Sequence, residues 1–81
     1  MLKIKVDTTE IDFIAINEYG KEYYQVSYTV MDEKTLKREL APLANLKDHN
    51  PKYLLTMDYT PYTSHNGIKQ LNVLDWLLEN K

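Results

Sequence analysis

The sequence has no cysteine and only two glycines in 81 residues. The first absence removes disulfides, thiol nucleophiles and cysteine-ligated zinc, and it suits a reducing cytoplasm. The scarcity of glycine draws attention to Gly20, which supplies the positive φ that a tight turn requires. No apolar stretch is long enough to span a membrane. The N-terminus, Met1-Leu2-Lys3-Ile4-Lys5-Val6, alternates apolar and basic residues and has no signal-peptide core. Charge of one sign is also scarce. The net charge of −2 argues against a broad basic footprint for nucleic acid, but not against a local patch. There is no P-loop, dinucleotide fingerprint or zinc-ligand spacing.

What is present describes one small folded domain. A chain of 81 residues has room for little more. Its 43% hydrophobic and 27% charged residues exclude wholesale disorder. Seven tyrosines suit half-buried strands whose hydroxyls reach the edge of a core.

Residues 2–6 read as a short edge strand. Residues 11–16 are an apolar run interrupted by Asp12, and predict a mostly buried strand. A turn over 17–21 leads to a second strand at 22–30, rich in Tyr, Val, Ser and Thr. Asp32 is a predicted helix N-cap. Leu36, Leu40 and Leu43 then form one apolar stripe. Pro42 predicts that this helix kinks or ends near Ala41, because its ring would clash with the carbonyl of Arg38. Residues 53–57 form an apolar run too short for a helix, the pattern of a strand covered on both faces. It is expected to run parallel to the second strand after a helical crossover. Residues 58–67 read as a loop and 68–71 as a short strand. Asn72 caps a final helix whose Val73, Leu74, Trp76, Leu77 and Leu78 make it apolar over most of its circumference, so it must dock on the core or on a partner. The predicted fold class is α/β of mixed α+β type: a small mixed sheet of hairpin or meander, crossover helix and parallel strand, with flanking helices.

The candidate chemistry lies on the first two long strands. Glu10 and Asp12 share a face of one strand, and Gln25 and Ser27 share a face of the next. Acidic residues beside a polar-x-polar triplet are the skeleton of a metal-dependent nuclease site. Such a site needs hard oxygen ligands and a group that activates water or stabilises the phosphate. Asp12 could ligate a metal. Gln25 is a neutral substitute for a carboxylate, and Ser27 cannot replace a lysine; Lys3 or Lys52 would have to supply one. The register decides the geometry. Pairing Ile16 with Lys21 sets Asp12 opposite Gln25, pairing Glu18 with Lys21 sets it opposite Ser27, and pairing Asn17 with Lys21 sets it opposite Val26. Lys34, Lys37 and Arg38 form a small basic helix face, beside Glu33 and Glu39, that could meet a phosphate backbone. His49 and His65 fall in predicted loops. Asp58, at the end of a predicted parallel strand, is read as a turn former, although ligand sites also gather there.

Five blocks carry a resemblance. They are Glu-Ile-Asp-Phe-Ile-Ala (10–15), Tyr-Tyr-Gln-Val-Ser-Tyr (23–28), Thr-Leu-Lys-Arg-Glu-Leu-Ala-Pro-Leu (35–43), Asn-Pro-Lys-Tyr-Leu-Leu-Thr-Met-Asp (50–58) and Gly-Ile-Lys-Gln-Leu-Asn-Val-Leu-Asp-Trp-Leu-Leu (67–78). In this order they resemble the uncharacterised C-terminal domain of prokaryotic AAA-type ATPases, which is similar to the PD-(D/E)xK restriction-endonuclease-like fold. The resemblance implies a restriction-endonuclease-like core. The acidic position falls on Asp12 and the (D/E)xK triplet on Gln25-Val26-Ser27, which departs at both chemical positions. It also implies that the ATPase domain, the winged-helix region and the helix before the sheet lie outside the chain, so that one sheet face or edge is uncovered. The expected function is a non-catalytic accessory or interaction domain, cytoplasmic and without a cofactor. It would dimerise or bind a partner protein through the final helix or the uncovered sheet. The alternatives are a metal-dependent nuclease and a nucleic-acid-binding module.

Overall fold

The computed structural model describes residues 3–5, 11–59 and 63–79. These form strands β1 (Lys3–Lys5), β2 (Phe13–Asn17) and β3 (Gly20–Val26), helix α1 (Glu33–Ala44), strands β4 (Lys52–Thr56), β5 (Thr63–His65) and β6 (Ile68–Asn72), and helix α2 (Val73–Glu79). The strands make one mixed sheet in the order β1-β2-β3-β4-β6-β5. β1, β2 and β3 are antiparallel neighbours, β3, β4 and β6 are parallel, and β5 returns antiparallel to β6. The expected mixed α/β class, the edge position of the first strand and the parallel crossover through a helix are all present. Among the described residues no helix is long and apolar enough to cross a membrane.

Strand β4 carries the core on both faces. Leu54 packs on the α1 side with Ile11, Tyr23, Val30, Leu43 and Ile68; Leu36 and Leu40 complete the predicted stripe. Leu55 packs on the α2 side with Ala15 and Tyr24, flanked by Val73 and Trp76. Leu43, Leu54 and Leu55 are at most 1% exposed, so each contributes about 1.5–3 kcal/mol by leaving water. The tyrosines have a specific place in this arrangement. Phe13 pairs with Tyr24, Tyr24 with Tyr53 and Tyr53 with Lys69 in successive registers, forming a rank across four strands. Its rings stack at 4.9 and 5.1 Å, and Trp76 meets Tyr24 edge-on at 5.3 Å. Burial pushes the Tyr24 hydroxyl pKa upward and the Glu22 carboxylate adds to the effect, so this hydroxyl stays protonated and donates to Glu22 at 3.1 Å.

Several boundaries differ from the sequence expectation. β3 ends at Val26 rather than Val30. Ser27 N and the Tyr28 carbonyl still bond to the β4 segment, at the Leu55 carbonyl and Met57 N, and the chain then turns away: the Val30 N–H and Thr29 Oγ1 donate to the Asp58 carboxylate at 2.9 and 2.6 Å. Of the two outcomes expected at Pro42, a kink or an end near Ala41, the end does not occur: α1 continues through Pro42 to Ala44. Proline removes one rung near the end of the helix. Burial of Leu43 and closure of Asn45 N–H onto the Ala41 carbonyl at 3.0 Å secure the last turn. β5 lies inside the stretch read as a loop, and it takes His65 with it. Its hairpin turns on Asn66 and Gly67, whose φ values of 53° and 88° are those of a two-residue primed turn. β6 runs through Asn72, whose Oδ1 then accepts from Leu74 N at 2.9 Å and Asp75 N at 3.2 Å, capping α2 as expected. Asp32 likewise caps α1, accepting from Thr35 N at 3.0 Å.

Asp58 ties the ends of the parallel strands together. Besides Thr29 and Val30, it reaches β6 through its carbonyl, which accepts from Asn72 Nδ2 at 3.2 Å. The Thr29 hydroxyl, then the Val30 amide, hold the Asp58 carboxyl below the usual carboxylate range. A carboxyl with a lowered folded pKa contributes stability above its unfolded pKa of about 3.9, and that stability is lost as pH falls through the lower folded value. Urea unfolding should therefore show stability declining below about pH 4. Asp58→Asn should be less stable at pH 7 and should decline less steeply in acid.

Candidate functional site

The hairpin register pairs Ile16 with Lys21 and Asn17 with Gly20. Of the three possible alignments, this one sets Asp12 opposite Gln25. The positive φ of 138° falls on Gly20, immediately after the two-residue turn Glu18-Tyr19. β2 begins only at Phe13, so Asp12 lies where the strand pairing runs out. There the side chains continue it. Asp12 N donates to Gln25 Oε1 at 2.7 Å, and Val26 N donates to Asp12 Oδ2 at 2.8 Å. Each side chain takes the place of a ladder carbonyl for a backbone N–H of the other segment. Gln25 is 4% exposed, and its amide oxygen is committed to this bond.

Ser27 does not join them. It follows the last β3 residue, and its hydroxyl donates to the Thr29 carbonyl at 3.0 Å. Glu10 lies outside the described residues. The side chain of Lys3 also lies outside what is described. Lys52 is near the other end of β3, paired with Tyr23. Its ammonium donates to the Asp48 and Asn50 carbonyls, both at 2.9 Å, and lies 3.5 Å from the Asp48 carboxylate. It is therefore a loop anchor and does not complete a site at Asp12. The Tyr23 hydroxyl also donates to Asp48, which lowers the Asp48 carboxyl pKa and raises that of Tyr23.

A groove of about 480 Å³ opens over Asp12 and Gln25, with Arg38, Glu39, Ala41 and Pro42 of α1 as its other wall. Glu39 is the residue that sequence reasoning passed over as a mere neighbour of the basic face. Its position was legible: three residues after Leu36 and four before Leu43, it borders the apolar stripe. Burial raises its carboxyl pKa first, and the Asp12 charge raises it further. Arg38 opposes this, with Nε 3.9 Å from Glu39 Oε2. Among the described residues, no three histidine or acidic side chains converge as ligands for one metal.

The proposed basic face is divided. Lys37 pairs with Glu33 at 3.6 Å on the solvent side, whereas Arg38 turns to Glu39 beside the groove. The exposed Lys37–Glu33 pair contributes little to stability, and both cations remain accessible. His49 lies in an exposed segment of the α1–β4 connection. His65 stands on β5 with Nε2 2.8 Å from Gln70 Oε1, a partner that fixes its ring. Asp58 is the strand-end tie described above.

The chain is 36% identical over 75 residues to a protein of Haemophilus influenzae described only as uncharacterized. That match takes in 93% of this chain and 18% of the relative's length, so the chain corresponds to a small part of it. No protein-family model matches, and no solved structure matches.

The geometry assigns Asp12 a structural task. Asp12→Ala should lower stability by about 1 kcal/mol in urea unfolding, the usual net worth of a hydrogen bond. Asp12→Asn, which keeps an acceptor, should recover most of that loss.

Proposed function

We propose that this chain is a non-catalytic accessory domain, acting in the cytoplasm as part of a larger AAA-type ATPase family protein and serving protein–protein contact. The observation that carries this reading is the pair of hydrogen bonds from Asp12 N to Gln25 Oε1 and from Val26 N to Asp12 Oδ2. In a nuclease site those positions would offer oxygens to a metal ion; here they close the end of a strand pair. The extent of the match to the Haemophilus influenzae protein, 18% of its length, is in keeping with a domain that works within a longer polypeptide.

Contact surface is available on two sides. Val73 and Trp76 of α2 face the core, while Leu77 and Leu78 are 53% and 65% exposed. At the carboxyl ends of β3 and β4, Tyr28, Met31 and Tyr59 are each at least 78% exposed. Large apolar side chains gathered on connected segments are the usual mark of a surface that meets another protein. A second copy of the chain would cover the α2 leucines symmetrically.

A metal-dependent nuclease is the second reading. It is favoured by one observation, the presence of Asp12 and Glu39 on opposite walls of one groove. The two readings separate in a single experiment. Incubation with DNA and RNA in Mg²⁺ or Mn²⁺ should leave both intact, and light scattering should give a mass above the monomer that Leu77→Glu returns to monomer. Cleavage that Asp12→Ala abolishes would overturn the accessory reading. A monomeric mass over a wide concentration range would remove its self-association.

A further inference from the structure

We infer that the aromatic rank on the α2 face ends in a receptor for an organic cation, the ammonium or guanidinium head of a basic group. α2 has only seven residues and covers part of that face. Beside it a cavity of about 340 Å³ is walled by Tyr24, Tyr53, Trp76 and Leu71, with Glu22 and Glu79 at its margins. This volume is in the range of sites that hold small ligands.

The chemistry of the walls selects the sign of the guest. Aromatic rings carry negative charge density on their faces, which attracts a cation within about 6 Å of the centroid. The chain already uses this attraction: Lys69, another lining residue, holds its Nζ 6.0 Å from the Tyr53 ring centre. The carboxylates of Glu22 and Glu79 line the cavity with this one ammonium. Glu22 is half-buried and is oriented by the Tyr24 hydroxyl at 3.1 Å. The cavity therefore keeps an excess of negative charge with one cation in place. An incoming anion would meet two carboxylates and the outer face of Tyr53, whereas an incoming cation would compete only with Lys69 for that face. Lys69 is exposed and carried on a flexible stem, so it can swing out to solvent. This inference does not rest on the accessory-domain reading.

The chain has one tryptophan, and it lines the cavity, so its emission reports on the site. The intact 81-residue chain is titrated with tetramethylammonium chloride, with sodium chloride at equal ionic strength, and with a short peptide rich in lysine and arginine. Tetramethylammonium should change Trp76 emission saturably, and sodium chloride should not. Glu22→Gln and Glu79→Gln should each raise the half-saturation concentration roughly three- to tenfold, as expected for losing one charge contact. Lys69→Gln should lower it by removing the internal competitor. All three positions are half-buried or exposed, and thermal melts of the variants verify that they fold. A peptide that saturates at concentrations at least about tenfold below tetramethylammonium identifies a basic side chain of a partner protein as the guest. Equal half-saturation identifies a free amine. No saturable change with either probe would overturn the inference, as would a response matched by sodium chloride or indifferent to both glutamate variants. A Lys69→Gln variant that binds tetramethylammonium more weakly would also overturn it, since Lys69 would then not be the guest's competitor.

Discussion

Strand β4 is the constraint on which the other elements depend. Leu54 and Leu55 point to opposite faces, and both are almost fully removed from water. One face must therefore receive α1 and the other α2. The neighbours β3 and β6 both run parallel to β4 and supply its backbone partners. The Asp58 tie, the Asp32 cap and the Asn72 cap all sit at the ends of this central trio, where backbone N–H groups would otherwise lack acceptors. A domain of this size has a limited core, so such polar closures bear directly on whether it holds one conformation.

The Asp12–Gln25 exchange belongs to the same class of device. It occurs where β2 gives way to irregular chain, and it replaces ladder bonds with side-chain bonds of similar length. Asp12 and Gln25 thereby each satisfy a backbone N–H. The groove above them is real and contains a second carboxylate, Glu39, whose raised pKa reflects burial before it reflects Asp12. Asp12 and Glu39 thus meet across the groove while Asp12 remains bonded to Val26.

Much of this architecture was legible in the residues themselves. The leucine stripe of α1, both caps, the doubly covered strand and the parallel crossover follow from spacing and side-chain type. Gly20 marked the hairpin, although alternation alone left three registers open; packing of Phe13 on Tyr24 and of Ala15 in the α2-side core now accompanies the one adopted. The end of β3 could not be read locally, because Thr29 and Val30 have good strand propensity and are drawn away by Asp58, 28 residues beyond Val30. At Pro42 the helix does not end, because one missing helical bond is outweighed by the burial of Leu43. The Asn66-Gly67 turn was an available signal, obscured by the surrounding polar residues. The aromatic rank required the register of four strands, which tyrosine content alone could not supply.

The central claim is that Asp12 serves the backbone rather than a metal or substrate. The most direct test is amide hydrogen exchange at Val26, whose N–H points to Asp12 Oδ2 at 2.8 Å. In the native protein this amide should exchange slowly, and Asp12→Ala should accelerate it at least about tenfold, with the amides of β4 little changed. Addition of Mg²⁺ to the native protein should leave its rate as it was. Fast exchange at Val26 in the native protein, or a rate that rises as Mg²⁺ draws the carboxylate away, would contradict the account.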